Sequence, residues 1–240
     1  MNLKNKVALV TGGSKGIGFG VAQSLLQQGI HVAITSRSSA AASEAADLLN
    51  AKNTTEANAI GLQADVRNLE SQKGAVNQIL EAFGTLDVVV ANAGIGHFAS
   101  IEDLTSAQWQ ETIDTNLTGA FYTIKASVDA LKASKGYFIT ISSLAGTNFF
   151  ANGSAYNASK FGVTGFTQAV MLDLRQYGIK VSTIMPGSVS TNFNGNEPSD
   201  SDAWKIQSED IGELVVDLLK MHPRTLPSKI EVRPTTPPSK

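Results

Sequence analysis

The chain has 240 residues, enough for one large domain with a full hydrophobic core. Hydrophobic residues make up 42% of it, charged residues 17%, and the formal net charge is −2, so neither nucleic acid nor an anionic membrane is an expected partner. Cysteine is absent, which excludes disulfides, a thiolate metal site and a cysteine nucleophile, and we expect no bound metal. The first apolar run, which starts near Val7, is too short for a signal peptide or a membrane span and favours a cytoplasmic location.

Short apolar runs alternate with longer amphipathic stretches along the chain. The predicted strands are residues 7–11, 31–35, 59–63, 86–91, 137–142, 180–185 and 229–233. The predicted helices are residues 17–28, 39–50, 69–83, 106–132, 153–176 and 209–220. Several strands are rich in Val and Ile with little alternation, which is typical of strands buried on both faces. This order predicts an α/β fold, a Rossmann-type doubly wound parallel sheet of about seven strands with helices on both faces.

No linker divides the chain, so residues 1–240 are predicted to form a single domain. Residues 192–207 are rich in Asn, Ser, Asp, Gly and Pro, which fits either a plain surface loop or a lid over a substrate. Residues 234–240, with the sequence PTTPPSK, are predicted to form a flexible tail.

The first predicted strand runs into a glycine-rich turn, TGGSKGIG at residues 11–18, just before the first helix. Glycines there let the backbone turn tightly and let a pyrophosphate approach the helix N-terminus, where free N–H groups and the helix dipole favour an anion. The spacing differs from the common G-x-G-x-x-G pattern, and the cluster alone also fits a plain tight turn. Its place in a βαβ unit favours dinucleotide binding. The predicted contacts are Gly12, Ser14, Lys15, Gly16, Ile17 and Gly18.

The end of the second predicted strand bears on which dinucleotide is bound. An acidic residue there would hold the 2′-hydroxyl of the adenosine ribose and indicate NAD. The sequence is instead Ile34-Thr35-Ser36-Arg37-Ser38, without an acid. Arg37 is able to pair with a 2′-phosphate and Lys15 adds a second positive charge, although an arginine after a strand is often only solvated. This pattern favours NADP(H) and does not exclude NAD(H).

Tyr156 and Lys160 stand four residues apart on a predicted helix, so both lie on the same face. A tyrosine has a pKa near 10, and a neighbouring ammonium group stabilises the phenolate and lowers that pKa. The pair is therefore a candidate for general acid–base catalysis, although Y-x-x-x-K also occurs by chance on exposed helices.

Three further polar residues lie where the strands of an α/β sheet meet their ligands, or on the helix between them. Ser143 follows the fifth strand and is able to donate a hydrogen bond to a substrate oxygen, or is simply a turn serine. Asn92 ends the fourth strand, and Gly94 permits a close backbone approach to a cofactor. Asn116 lies inside the long predicted helix, where a poor helix former indicates local distortion, a bound water or a solvent-facing position.

Together these motifs resemble the short-chain dehydrogenase/reductase family over about residues 5 to 191. The family's T-G-x-x-x-G-x-G, N-A-G and Y-x-x-x-K motifs match residues 11–18, 92–94 and 156–160. Its helix asparagine matches Asn116, and its serine thirteen residues before the tyrosine selects Ser143 over Ser142. Its P-G motif and the following threonine match Pro186-Gly187 and Thr191, and its adenine-contacting aspartate matches Asp65.

The resemblance implies a role for each matched residue. Tyr156 is the implied catalytic acid/base, and Lys160 lowers its pKa and holds the nicotinamide ribose. Ser143 orients and polarises the carbonyl, and Asn116 holds a water in a proton relay to Lys160. The resemblance also implies a homodimer or homotetramer built on the helices that carry Asn116 and Tyr156. The other implied cofactor neighbours are Asp65, Val66, Asn92, Ala93, Gly94, Ile95, Pro186, Gly187, Val189 and Thr191.

One departure from the family pattern concerns the C-terminus. Many members carry a Gly-Gly pair after the last strand, whereas this chain ends KIEVRPTTPPSK. The resemblance therefore does not extend to the contacts of this tail, nor to a tetramer that packs C-termini together.

The sequence predicts an NADP(H)-dependent oxidoreductase that interconverts a carbonyl and a secondary alcohol, such as a 3-oxoacyl thioester or a small ketone. An epimerase or dehydratase of the same fold and a dinucleotide-binding sensor without turnover are the alternatives. His97 either touches substrate or is a satisfied surface histidine, and Phe149 and Phe150 either line a pocket or pack as core. The candidate pocket residues are Ile95, His97, Phe98, Leu144, Asn148, Phe149, Gly187 and the segment 192–207.

Overall fold

The computed structural model describes residues 3–236, which contain one sheet of seven parallel strands in the order β3-β2-β1-β4-β5-β6-β7. The chain winds outward from β1 to β3 and then crosses to the other side of β1, so the winding direction reverses between β1 and β4. The strands are β1 (Val7–Val10), β2 (His31–Ser36), β3 (Ala59–Gln63), β4 (Val88–Ala91), β5 (Tyr137–Ile141), β6 (Lys180–Pro186) and β7 (Lys229–Val232).

Helices cover both faces of the sheet, because the central strands are apolar on both sides. The helices are α1 (Gly16–Leu26), α2 (Ser39–Lys52), α3 (Leu69–Phe83), α4 (Ser106–Ile113), α5 (Gly119–Ser134), α6 (Ser154–Leu174) and α7 (Ser208–Lys220). In β1, Ala8 and Val10 pack with α1 and α7, whereas Val7 and Leu9 pack with α3, α5 and α6 on the other face. The doubly wound α/β fold expected from the sequence is therefore confirmed.

The long helix predicted over residues 106–132 is not continuous. A π-helical turn, Asp114–Thr118, separates α4 from α5, and Asn116 lies in its middle. The local distortion expected from an internal asparagine is thus present, and such turns are frequent at functional sites. The other helices differ from their predicted bounds by at most two residues at either end, and the helix Leu69–Phe83 matches its predicted bounds.

Two segments predicted as loop and tail adjoin the carboxyl ends of the strands. The segment 192–207 contains two short 3₁₀ turns, Phe193–Gly195 and Asp200–Asp202, and is held near its end by a bridge between Val189 and Ile206. The tail is described as far as Thr236, and the rest of the predicted flexible tail, 237–240, lies outside the described residues. None of the helices within residues 3–236 combines the length and the apolarity that crossing a bilayer requires.

Candidate active site

A cleft of about 790 Å³ opens where the strands β1 to β6 end, and we call it the main cleft. Every residue that the sequence predicted for catalysis or cofactor binding lines it, except Gly18 and Asn116. Strand ends of a parallel sheet meet at one edge, which explains how residues far apart in the sequence come together. The predicted residues along the main cleft are Gly12, Ser14, Lys15, Gly16, Ile17, Arg37, Asp65, Val66, Asn92, Ala93, Gly94, Ser143, Tyr156, Lys160, Pro186, Gly187, Val189 and Thr191.

The glycine-rich turn forms one wall of the main cleft. Gly12 and Gly16 adopt φ values of +63° and +57°, which side chains other than glycine rarely adopt. Helix α1 starts at Gly16, and its N-terminus has no side-chain cap, so the backbone N–H groups of its first turn remain available to a ligand. Gly18 instead serves packing, because an added Cβ would lie 2.5 Å from the side-chain nitrogen of Asn92.

Thr11 and Asn92 tie this turn to the end of β4. The Thr11 hydroxyl oxygen accepts hydrogen bonds from the backbone N–H groups of Asn92 and Ala93, at 3.0 and 3.2 Å. The Asn92 amide donates to the carbonyl oxygens of Thr11 and Gly12, at 2.9 and 3.2 Å. Sequence reasoning missed Thr11 because it was taken only as the start of the glycine motif, although its hydroxyl makes two of these contacts.

Charged side chains gather at the end of the main cleft formed by β2 and β3. Arg37 follows β2 and acts on the charge of Asp65, whereas Lys15 lines the main cleft after β1. Arg67, which the sequence did not single out, donates to both carboxylate oxygens of Asp65, at 2.7 Å from Nη2 and 3.0 Å from Nε. Its guanidinium holds the pKa of Asp65 below the ordinary value. Thr35 also lines this region, and its buried hydroxyl has no hydrogen-bond partner within the described residues.

Helix α6 places Lys160 behind Tyr156. The Lys160 ammonium nitrogen donates to the carbonyl oxygen of Ile141 at 3.0 Å and lies 5.7 Å from the centre of the Tyr156 ring. Only 5% of Lys160 is exposed, and this burial lowers its pKa to about 8. Ser143 accepts a hydrogen bond from the backbone N–H of Ala145 at 3.1 Å, which fixes its position beside Tyr156.

The pKa of Tyr156 differs from the sequence expectation. Burial of its phenol raises the pKa above the ordinary value, and a hydrogen bond with Ser143 opposes this rise without reversing it. The interaction that lowers this pKa comes from Ser143 and not from Lys160, and it is weaker than the effect of desolvation.

Asn116 acts behind the main cleft, since it is only 3% exposed. Its side-chain oxygen accepts from the backbone N–H of Ile95 at 2.8 Å, and its amide donates to the Ile95 carbonyl and the Ser159 hydroxyl, both at 2.9 Å. Ser159 in turn donates to the carbonyl oxygen of Tyr156 at 2.8 Å. The π turn therefore links the N-A-G segment to the helix that carries Tyr156 and Lys160.

Aromatic rings cover the Tyr156 side chain. The ring centres of Phe98 and Phe193 lie 5.3 and 5.8 Å from that of Tyr156, and Phe150 lies 5.9 Å from Phe98. Phe193 belongs to the segment 192–207, so this segment reaches the catalytic candidates. Phe149, by contrast, is 85% exposed and neither lines a pocket nor packs as core.

His97 is a satisfied surface histidine, one of the two readings that the sequence left open. Its Nε2 atom lies 2.9 Å from a carboxylate oxygen of Glu111, and His97 lines neither the main cleft nor the pocket beside it.

A second pocket of about 680 Å³ adjoins the main cleft and shares Ser143, Tyr156, Gly187 and Ser188 with it. The sequence predicted Leu144, Asn148, Gly187 and, in the segment 192–207, Trp204 here, and it left Phe150 open between pocket and core. It missed the C-terminal residues, because no motif marks them. The remaining lining residues are Leu144, Ala145, Asn148, Phe150, Trp204, Arg233, Pro234, Thr235 and Thr236.

Comparison with known proteins agrees with this geometry. A family model described as short chain dehydrogenase matches residues 6–202. The chain is 39% identical over 223 residues to trans-4-hydroxycyclohexanecarboxylate dehydrogenase of Sinomonas cyclohexanicum, covering 89% of this chain and 85% of that one. It is 35% identical over 194 residues to 3-oxoacyl-[acyl-carrier-protein] reductase of Vibrio cholerae, covering 80% and 77%. An alcohol dehydrogenase from the archaeon Thermococcus sibiricus, complexed with 5-hydroxy-NADP, has a TM-score of 0.89 at 29% identity, covering 98% and 99%.

The matched region spans the glycine turn, the N-A-G segment, the π-turn asparagine and the Ser143, Tyr156 and Lys160 cluster. On the family match, the relatives and the shared fold, the chain belongs to the short-chain dehydrogenase/reductase family of oxidoreductases.

Proposed function

We propose that the chain is an NADP(H)-dependent oxidoreductase that interconverts a carbonyl and a secondary alcohol, with Tyr156 as the general acid/base. The observation that carries this proposal is that Ser143 and Tyr156 lie in the wall shared by the main cleft and the second pocket, with Lys160 behind Tyr156 on the side of the main cleft. One space thus suits a dinucleotide and the other a substrate, with the reactive side chains between them.

The residues present fit a dinucleotide. The uncapped N-terminus of α1 suits a pyrophosphate, and the unpartnered Thr35 hydroxyl offers a polar contact in the wall of the main cleft. Gly94 keeps the space beside the catalytic candidates open, because an added Cβ would lie 3.3 Å from the Asn116 oxygen and 3.6 Å from the Lys160 nitrogen. The bound nicotinamide would supply or accept the hydride.

The chain's own residues would handle the substrate oxygen and its proton. Ser143 would donate a hydrogen bond to that oxygen and polarise the carbonyl. Tyr156 would give the oxygen a proton in reduction and take it back in oxidation. The high pKa of its buried phenol suits the acid role, and the charge on Lys160 favours the phenolate when the proton leaves. Asn116 would fix the position of the N-A-G segment relative to α6. Its side-chain oxygen is able to accept a second hydrogen bond, which would suit a water of the proton relay.

The preference for NADP(H) rests on charge at one end of the main cleft. Arg37 lines that end, Lys15 lines the cleft at the glycine turn, and the end of β2 carries no acidic residue to hold a ribose hydroxyl. The neighbour from Thermococcus sibiricus was solved with an NADP derivative, which supports the same preference. Asp65, with Arg67 on its carboxylate, is the proposed adenine contact.

The substrate proposal is a small ketone or its secondary alcohol. The names of the relatives support two chemistries, an alicyclic hydroxy acid and a 3-oxoacyl thioester. The test panel therefore includes cyclohexanone, 4-oxocyclohexanecarboxylate and a 3-oxoacyl thioester.

The aromatic contacts of Phe193 with Tyr156 support a lid role for residues 192–207.

The deciding experiment compares the wild-type chain with Tyr156→Phe on this panel, following NADPH absorbance with NADH in parallel. We expect wild type to reduce at least one ketone and the variant to lose roughly 100- to 10,000-fold in kcat while still binding NADPH. A variant that keeps more than about a hundredth of the activity would contradict the acid/base role. Binding of NADPH without turnover of any panel member would favour the sensor alternative.

The oligomeric state and the location in the cell concern the whole protein. We propose a homodimer or homotetramer that uses α5 and α6, which carry half-exposed apolar side chains such as Phe121 and Phe161. The cytoplasmic location stays a prediction from the sequence.

A further inference from the structure

The second pocket is apolar on most of its surface but carries one charged side chain. Leu144, Phe150, Trp204 and Pro234 supply apolar walls. Among the described residues that line it, Arg233 alone bears a full charge. A pocket with this composition favours a compact apolar molecule that carries one negatively charged group.

The backbone holds Arg233 at the pocket. Strand β7 pairs with β6 in parallel register, with Val232 opposite Pro186, so Arg233 follows at the edge where the main cleft opens. The backbone N–H of Gly187 donates to the carbonyl oxygen of Val232 at 2.8 Å. An added Cβ on Gly187 would lie 3.3 Å from the ring of Pro234, so the chain on both sides of Arg233 is closely packed against β6.

The guanidinium group retains donors for a ligand. Within the described residues its one hydrogen bond runs from Nη2 to a carboxylate oxygen of Glu231, at 2.9 Å. Both side chains of this ion pair are well exposed, and such surface pairs contribute only about 0–1 kcal/mol. An arginine has five N–H donors in a planar fork that matches a carboxylate, so a bound carboxylate can share or replace Glu231.

We propose that Arg233 is a specificity-determining residue that binds a carboxylate of the substrate, so that the enzyme prefers keto acids, and the matching hydroxy acids, over neutral ketones of the same shape. This inference rests on the proposed function and names the substrate class of that site. No bond changes at the carboxylate, which serves only to hold the molecule in the second pocket.

The test compares 4-oxocyclohexanecarboxylate with its neutral counterpart 4-oxocyclohexanecarboxamide. The quantity measured is the ratio of kcat/KM for acid over amide, in wild type, Arg233→Gln, Arg233→Lys and the exposed control Arg224→Gln. We expect Arg233→Gln to lower this ratio at least about tenfold, mainly by raising KM for the acid, because it removes a charge-assisted hydrogen bond. In Arg233→Lys the ratio of kcat/KM for acid over amide should lie between those of wild type and Arg233→Gln. In Arg224→Gln it should equal that of wild type.

A ratio in Arg233→Gln within about twofold of wild type, or one lowered equally by Arg224→Gln, would overturn the inference. If wild type reduces neither of these two ketones, binding decides the inference, while the proposed function is still decided by the other members of the panel. The full chain with NADP⁺ is then titrated separately with cyclohexanecarboxylate and with cyclohexanecarboxamide, and calorimetry measures the affinity for each. Preference for the carboxylate that is lost in Arg233→Gln supports the inference, and equal binding of the two compounds overturns it.

Discussion

The ammonium group of Lys160 lies in a buried position between the end of β5 and the Tyr156 ring. The carbonyl of Ile141 is its one hydrogen-bond partner among the described residues, and no carboxylate compensates its charge, so desolvation lowers its pKa to about 8. Such a group costs stability when charged, which is a common feature of catalytic positions. The proposed role of Lys160 therefore has a consequence for the stability of the protein, separate from its consequence for activity.

The residue-scale prediction for Lys160 concerns pH. Its pKa in the folded chain, about 8, lies below that of the unfolded chain, so the unfolded chain binds more protons between these values. The free energy of unfolding should therefore gain a contribution as pH rises from about 8 towards 10.5, on the order of 3 kcal/mol in full, and this contribution should be absent in Lys160→Met. Urea unfolding of both proteins at about pH 7 and pH 10 measures it.

The exposed Lys220→Met on α7 serves as the control for this experiment, since it removes a lysine outside both the site and the proposed interface. If the free energy of unfolding depends on pH in the same way in wild type and Lys160→Met, then burial does not lower the pKa of Lys160. Lys160→Met should also lose turnover at every pH, whatever its stability.

Arg37 provides the residue-scale test of cofactor preference. Arg37→Ala removes a cation from the end of the main cleft and should weaken NADPH binding roughly 10- to 100-fold, because a charge-assisted hydrogen bond is lost. NADH lacks the 2′-phosphate and should be affected little. Fluorescence titration with both cofactors measures the difference, with Lys73→Ala on the surface of α3 as control. Equal losses for NADPH and NADH would contradict the 2′-phosphate assignment.

At the scale of elements, the π turn between α4 and α5 is the feature that joins fold and site. It directs Asn116 into the space between the N-A-G segment and α6, where its amide satisfies both backbone groups of Ile95 and reaches Ser159. In a regular α-helix the side chain of Asn116 would point in a different direction and would not reach these partners. The turn thus positions the helix that carries Tyr156 and Lys160, and within the turn Thr115, not Asn116, lines the main cleft.

Asn116→Ala tests this positioning role. The change leaves the backbone N–H and C=O of Ile95 without partners, so we expect a loss of about 1–3 kcal/mol in the free energy of unfolding together with a lower kcat. Chemical denaturation and steady-state kinetics measure the two effects. The control Gln78→Ala on the exposed face of α3 should change stability by no more than about 0.5 kcal/mol. Unchanged stability and kcat in Asn116→Ala would contradict the role.

Elements and site were predictable from the sequence to different degrees. Buried strands such as Val88–Ala91 and the glycine turn can be predicted from the adjacent sequence alone. The spacing of apolar residues, the composition of a segment and the residues that favour turns are all short-range properties. The sequence indicated a distortion at Asn116 but not its form, which depends on contacts with Ile95 and Ser159. Arg67 and Arg233 carried no motif. Arg67 pairs with Asp65 two residues before it, whereas only the pairing of β7 with β6 brings Arg233 to the site. The raised pKa of Tyr156 likewise depends on burial, which spacing on a helix does not reveal.

At the scale of the whole molecule, the outer surface of α5 and α6 is unusually apolar. Phe121 on α5 contacts Phe166 on α6, with ring centres 6.3 Å apart, and Phe161 and Leu172 are also half-exposed on α6. Large apolar side chains grouped on one surface often mark a protein–protein interface. A second copy packed there would also hold in place the two helices that border the π turn and carry Tyr156 and Lys160.

We therefore expect the chain to sediment as a dimer or tetramer at micromolar concentration. The double substitution Phe121→Glu with Phe161→Glu places charges on the contact surface and should shift the protein to monomer, because a buried unpaired carboxylate is strongly unfavourable. Leu48→Glu, an equally exposed apolar position on α2, should keep the wild-type mass. Sedimentation velocity measures all three proteins. A monomeric wild type, or a double variant that still assembles, would contradict an interface on α5 and α6. If the monomer forms and also loses turnover while keeping NADPH binding, then assembly supports the catalytic helix directly.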